Sequence, residues 1–229
     1  MKSIFTRTKL YAETLFRLLK SNTLQNVIFF SGGILIFIIG IVTYGVILNL
    51  REVSLSEAMR LQGFEHLVTP NIIIDKKNYT LNLYEDTVLI KSYRASFGRN
   101  TQSAKQKKGD NATPTGEYKI CSIDTSAKYY KFFRVNYPNL DDASDALRKG
   151  IISQMAYDKI KFEFYYENCT SSDTPLGGDI GIHGLGELDY FFKNLPFVYN
   201  WTDGSIALSN ESIDELYSVV RKGTNVIIK

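Results

Sequence analysis

NWTDGSIALSNESIDELYSVVRKGTNVIIK, residues 200–229, closes the chain, and its periods decide what kind of fold this is. Ile213, Leu216, Tyr217 and Val220 fall at i, i+3, i+4 and i+7, one face of an amphipathic helix. Gly223 sits where such a helix stops, and NVIIK after it reads as a closing strand. Asp203-Gly204 is a turn pair. A strand, a tight turn, a reactive residue and a helix together present a side chain with backbone N–H groups nearby. Such groups can hold a developing oxyanion. The residue presented here is Ser205.

Upstream, the same strand character returns. NIIID from Asn71, YTLNLYE from Tyr79 and TVLIKSYRASFG from Thr87 are rich in β-branched and aromatic residues. Lys76-Lys77-Asn78 and Glu85-Asp86 supply the turns between them. A polar loop, Asn100 to Thr115, leads into a further strand, GEYKICSI, Gly116 to Ile123. From Asp141 the pattern becomes helical, with Ala143, Ala146 and Leu147 at i, i+3 and i+4, and Gly150 interrupts it. KFEFYYE, from Lys161, alternates like a strand, and LDYFFKNL, from Leu188, reads as a short helix. The expected class is mainly β with a few packed helices, in a domain spanning 71–229.

A different element precedes this domain. Val27 to Leu48 contains no charged residue and is long enough to cross a hydrocarbon core of roughly 30 Å. Lys2, Arg7, Lys9, Arg17 and Lys20 lie before it against one acid, Glu13; Arg51 and Glu52 after it cancel. The positive-inside rule then gives a cytoplasmic tail over 1–26, a transmembrane helix over 27–49 and a domain outside the cytoplasmic (inner) membrane. The apolar run is longer than that of a cleavable signal peptide, and no small-residue cleavage site follows it. Residues 50–70 form the linker. Within it Ser54-Leu55-Ser56-Glu57 fits a capping box that opens a helix to about Phe64, and His66 reads as ordinary surface.

The composition excludes several functions. With 44% hydrophobic and 13% aromatic residues the chain can bury a core. A net charge of +3 gives no ground for nucleic acid as a partner. No cluster of His, Cys and acidic residues has metal-ligand spacing and no nucleotide loop is present, so no metal or other cofactor is expected. Cys121 and Cys169 both fall outside the membrane; a disulfide and two separate buried thiols are both compatible with the sequence.

Three pieces carry chemistry: TPTGEY at 113–118, IHGLG at 182–186 and WTDGSIAL at 201–208. His183 is one of two histidines and lies among glycines, where backbone can approach a substrate closely. Taken singly each piece is weak. In this order they resemble the L,D-transpeptidase catalytic domain family, cysteine enzymes that remodel bacterial peptidoglycan. The resemblance runs from about Asn71 to Lys229, and its W-T-x-G-x-I-A-L form is that of a subgroup with Ala, here Ala207, where many members carry Arg. It implies a sandwich or barrel fold and a stem tetrapeptide as substrate. His183 would be the base and Gly204 would help form the oxyanion site. Ser205 would stand in the nucleophile's place. Gly184, Trp201, Thr202 and Asp203 beside them would bind substrate.

Ser205 is the departure, because the family's pattern has Cys there. A thiol near pKa 8.5 is held as thiolate by a neighbouring His; a hydroxyl must lose its proton during attack and needs a well-oriented base. Asp179 and Asp203 are the acids near His183 in sequence. Three readings stand open: a laboratory Cys→Ser change, a natural loss of catalysis that leaves a peptidoglycan-binding scaffold with envelope partners, and a Ser-dependent transferase or hydrolase. A minor fourth gives the nucleophile's part to Cys169 or Cys121.

Overall fold

The computed structural model describes residues 22–49, 52–125, 129–167, 169–195 and 197–229. The chain forms two units, Met1–Leu50 and Arg51–Lys229. In the first, α1 runs over Asn22–Asn49. Its stretch Asn22–Ile47, 26 residues and about 39 Å at the helical rise, reaches a mean hydropathy of 2.4 over 18 residues and is long and apolar enough to cross a membrane. Phe29, Ile36 and Phe37 on it are exposed. Lys2, Arg7, Lys9, Glu13, Arg17, Lys20 and Arg51, on which the expected orientation rests, lie outside the described residues.

The second unit is built on eight strands in the order β3-β2-β1-β8-β4-β5-β6-β7. The expected meander forms β1 (Pro70–Asp75), β2 (Thr80–Glu85) and β3 (Val88–Arg94), paired antiparallel. Alternation decides its faces: Ile72, Ile74, Leu81, Leu83 and Ile90 enter the core. Asp75 caps the first turn by accepting from the Asn78 N–H at 2.9 Å. The C-terminal strand β8 (Asn225–Ile228) inserts between β1, to which it is parallel, and β4 (Gly116–Asp124), to which it is antiparallel.

β4 then shifts register between Ile120 and Ser122 and passes from β8 to β5 (Phe132–Val135). β5 pairs antiparallel with β6 (Gly181–Gly184), and β6 parallel with β7 (Ile206–Leu208). Past β3 the chain turns back onto β7. Ser96 and Ala207 exchange two backbone hydrogen bonds of 2.9 Å, which joins the two ends of the sheet order. The mainly β class with packed helices is therefore the observed one, in its barrel-like form.

Helices cover the barrel. Ser54 caps α2 (Leu55–Leu61), and the Leu55 N–H donates to Glu215 at 2.9 Å. Asn139 and Asp142 form a capping box on α3 (Leu140–Arg148), which ends before Gly150 at φ +68°. α4 covers Gln154–Tyr166, α5 Asp189–Phe192 after one 3-10 turn, and α6 Asn210–Val219 with Ile213 and Leu216 buried. The strand expected over 161–167 is overturned: residues 161–166 are the C-terminal half of α4 and Glu167 is its C-cap. A helix nucleated at the Ser153 cap propagates cheaply once begun, and a short alternation does not outweigh that. β5 is absent from the sequence reading, although Phe133, Val135 and Tyr137 alternate into the core there; the strand is only four residues long.

Cys121 on β4 and Cys169 after α4 form a disulfide that closes 48 residues of chain. The thiol alternative is thereby removed, and neither sulfur is free to be a nucleophile. Opening a loop of that length costs about 4 kcal/mol by chain entropy. Cys169→Ser is expected to lower unfolding stability by that amount, seen as an earlier urea midpoint; reductant should do the same to the native protein and nothing further to the variant.

Candidate active site

The site is laid out by strand register. Phe132, His183 and Ala207 lie side by side across β5, β6 and β7. Arg134 pairs with Gly181, and the β6–β7 register carried back one residue sets Ser205 beside Gly181. The Gly181 N–H donates to Ser205 Oγ at 3.3 Å. Residues two apart on a strand point the same way. The rows Phe132–His183–Ala207 and Arg134–Gly181–Ser205 thus share one face, while Phe133, Ile182 and Ile206 fill the core behind it. His183 and Ser205 are diagonal neighbours on that face, a relation that sets Cα atoms about 7–8 Å apart.

His183 is 2% exposed. Tyr129, Phe132 and Trp201 surround its ring at centroid distances of 5.1, 6.1 and 5.9 Å. Its Nδ1 lies 2.8 Å from the Gly184 carbonyl oxygen. A carbonyl only accepts, so Nδ1 carries the proton and Nε2 keeps its lone pair. Burial pushes the imidazole pKa below its ordinary value, and the bond to Gly184 opposes this more weakly. The ring is a neutral base held by a backbone carbonyl. The two acids near it in sequence are engaged elsewhere, Asp179 with Arg134 at 3.1 Å and Asp203 with Arg99.

Ser205 ends a turn fixed from below. Thr202 Oγ1 donates to the Ser205 carbonyl at 2.6 Å and accepts from the Gly204 N–H at 3.2 Å. Ser205 Oγ donates to the Asp179 carbonyl at 3.4 Å. Gly204 has φ +129°, and a Cβ there would lie 2.8 Å from the Ala112 oxygen. Gly98, directly beneath, has no room either, with the Asn111 oxygen 2.2 Å from a Cβ. The TPTG stretch supports this packing, since Thr113 Oγ1 accepts from the Gly98 N–H at 2.9 Å. Gly204→Ala is expected to cost about 1–3 kcal/mol in backbone strain alone, to be seen as a lowered thermal midpoint.

The other expected residues lie around this face, Gly184 on the core-facing register of β6 with Ile182. Gly184 leaves no space for a side chain because Asn210 Oδ1 would lie 2.5 Å from a Cβ. Trp201 stacks on Phe192 at 6.1 Å, and its buried Nε1 has no hydrogen-bond partner among the described residues. Asp203 and Arg99 form an exposed pair at the rim. Sequence reasoning missed Asn210, which clamps Gly186 through both its N–H and its carbonyl at 2.9 Å and so holds the loop after His183. Its signal was present in ALSN, but it read only as the start of a helix. Arg134, Tyr129 and Phe132 were missed because β5 was. Among the described residues no group of three or more His, Cys, Asp or Glu is placed to hold a metal ion.

Comparison with known proteins gives a family. The YkuD profile, the L,D-transpeptidase catalytic domain, matches residues 69–228. Among solved structures the chain is similar to an L,D-transpeptidase of Xylanimonas cellulosilytica, with 16% identity over 76% of this chain and 69% of that one and a TM-score of 0.41. It is also similar to a mutant of the helical cell shape determining protein Pgp2 of Campylobacter jejuni, with 20% identity over 70% and 47% of the two chains and a TM-score of 0.47. Bd1075 of Bdellovibrio bacteriovorus gives 19% identity, coverage of 71% and 48% and a TM-score of 0.44. The aligned part spans about half of each of the last two chains. No curated protein matches the sequence.

Proposed function

The chain belongs to the L,D-transpeptidase catalytic domain family, and from that premise we propose that its domain processes peptidoglycan stem tetrapeptides by acyl transfer at Ser205, with His183 as the base. What supports this reading is the shared face of β6 and β7, on which His183 and Ser205 are diagonal neighbours, with Nε2 left as the acceptor nitrogen of the ring. In this scheme Oγ turns from the Asp179 carbonyl, gives its proton to Nε2 and attacks the carbonyl after the third stem residue. D-Ala leaves with that proton. Water or an amine of a second stem then takes the acyl group. The Gly204 N–H would leave Thr202 Oγ1 to meet the oxyanion. Gly184, Trp201, Thr202 and Asp203 line the approach.

We place the domain outside the cytoplasmic membrane with α1 as a single-pass anchor, the tail 1–26 inside and residues 50–70 as linker to a domain over 71–229. The charge-free helix supports this, as does a disulfide that persists only in an oxidising compartment. A scaffold that binds stem peptides and envelope partners without turnover is the second reading. It is favoured by one observation: Ser205 Oγ is tied to backbone, accepting from the Gly181 N–H and donating to the Asp179 carbonyl.

Purified protein with tetrapeptide-containing sacculi separates the two by muropeptide mass spectrometry. Released D-Ala or new 3–3 cross-links with the native protein, abolished in Ser205→Ala, are expected of the enzyme. Retention on sacculi with identical muropeptides from both forms establishes the scaffold instead.

A further inference from the structure

We propose that Asn210 is a positioning residue that sets the tautomer of His183 by fixing the Gly184 carbonyl, and so keeps Nε2 free to act as a base. This rests on the reading of His183 as the base of the site. The acids near His183 in sequence pair with Arg134 and Arg99 instead. Its Nδ1 meets the Gly184 oxygen at 2.8 Å. That oxygen belongs to the peptide between Gly184 and Leu185, where β6 gives way to the loop. The path of the loop therefore decides where it points.

Asn210 fixes that path. β6 and β7 pair in parallel as far as Gly184 and Leu208. Two residues further on both strands have ended, and the same register brings Gly186 beside Asn210. The side-chain amide takes the place of a further rung. Its Oδ1 accepts from the Gly186 N–H and its Nδ2 donates to the Gly186 carbonyl, both at 2.9 Å. Two bonds to one residue fix its orientation as well as its position. Gly186 has φ +64°, so the chain turns sharply here. Oδ1 also packs against Gly184, 2.5 Å from where a Cβ would stand. Asn210 is itself held, since its N–H donates to Asp189 at 2.8 Å. On the near side the Gly184 N–H donates to the Tyr129 carbonyl at 3.1 Å. The carbonyl that His183 needs is thus pinned from both ends.

With the carbonyl in place, a proton on Nε2 would leave two lone pairs facing each other 2.8 Å apart in a buried site, so the proton sits on Nδ1. With the carbonyl displaced, that penalty disappears and the proton passes to Nε2, where the ring no longer accepts. A histidine in the wrong tautomer takes no proton from a neighbouring nucleophile, and the loss of rate is large.

The test reads the tautomer directly, by long-range proton–nitrogen correlation spectroscopy on the full chain in detergent micelles with labelled histidine. The chain has two histidines; exposed His66 is the internal reference, and His183→Gln assigns the other signals. The native ring of His183 is expected to be protonated on Nδ1 alone. Asn210→Ala should shift its two nitrogen signals toward each other as the two tautomers exchange. Asn210→Asp keeps the size and the acceptor for Gly186 but not the donor. It should shift them the same way by less, which keeps the test sound if Asn210→Ala folds poorly. A residue that only stabilises the fold would lower the thermal midpoint and leave the tautomer as it was. In the Ser205→Cys background, Asn210→Ala should slow alkylation of the thiol at neutral pH about 10–100-fold, the range for a residue that orients a histidine from behind. A His183 spectrum that is the same in the native protein and both variants overturns the proposal. A shifted tautomer with an alkylation rate indifferent to His183→Gln leaves the positioning role standing and overturns the pairing of His183 with position 205.

Discussion

Ser205→Cys is expected to raise the rate of acyl-enzyme formation on stem tetrapeptides at least about a hundredfold. The change is one atom in size, and the turn that holds it is fixed by Thr202, Gly204 and Gly98, none of which touches the Oγ. What differs is the chemistry of the atom. A thiol titrates near 8.5 and falls further beside a base, so a fraction is already thiolate before substrate arrives. The hydroxyl must first leave the Asp179 carbonyl and then lose its proton during attack. The C–S bond is also longer than C–O, and about 1 Å of misplacement can cost a hundredfold. Intact-mass detection of the acyl adduct, with muropeptide analysis for products, reads the outcome. If Ser205→Cys gains nothing over the native chain while Ser205→Ala equals both, position 205 is not the nucleophile.

His183→Gln in that Cys background should lose about 10²–10⁴-fold in rate, the usual contribution of a positioned base. The amide keeps a donor for the Gly184 carbonyl but offers no base in the Nε2 position. The pH dependence carries a sign that can be checked separately. Burial holds the folded-state pKa of His183 below the ordinary 6.5. Just below pH 6.5 the unfolded chain therefore binds a proton that the folded chain refuses. Unfolding free energy from this residue is complete above 6.5, falls as pH drops through the window down to the folded pKa, and levels off beneath it. Urea titrations across pH 7 to 5 should show this loss in the native protein and a flatter profile in His183→Gln. Identical profiles would mean that His183 is not the buried neutral base described here.

Much of the fold was legible because it is local. The alternation of Ile72, Ile74, Leu81 and Leu83 is a statement about one face of one hairpin, and nothing distant is needed to read it. The same holds for the Ser54 cap, the Gly150 and Gly223 stops and the apolar face of α6. The pieces of the site were legible as motifs: TPTG, HG and the turn before Ser205. The tail of α4 misled because six residues fit both periods, and β5 was missed because four residues are too short a run for the alternation of Phe133 and Val135 to stand out.

The residues alone determined an apolar span, a β-rich domain and the identity of the groups that could react. They also determined that position 205 offers a hydroxyl. Only the tertiary structure decided which groups meet. It set β8 between β1 and β4, joined Cys121 to Cys169, placed Ser205 beside Gly181 with Arg134 in the same row, and gave His183 a carbonyl partner where an acid had been the candidate. The physical reason is that sequence periods record which side of an element is apolar. Which element covers that side is settled by burying all of them at once, through pairings whose cost depends on chain separation and not on local composition.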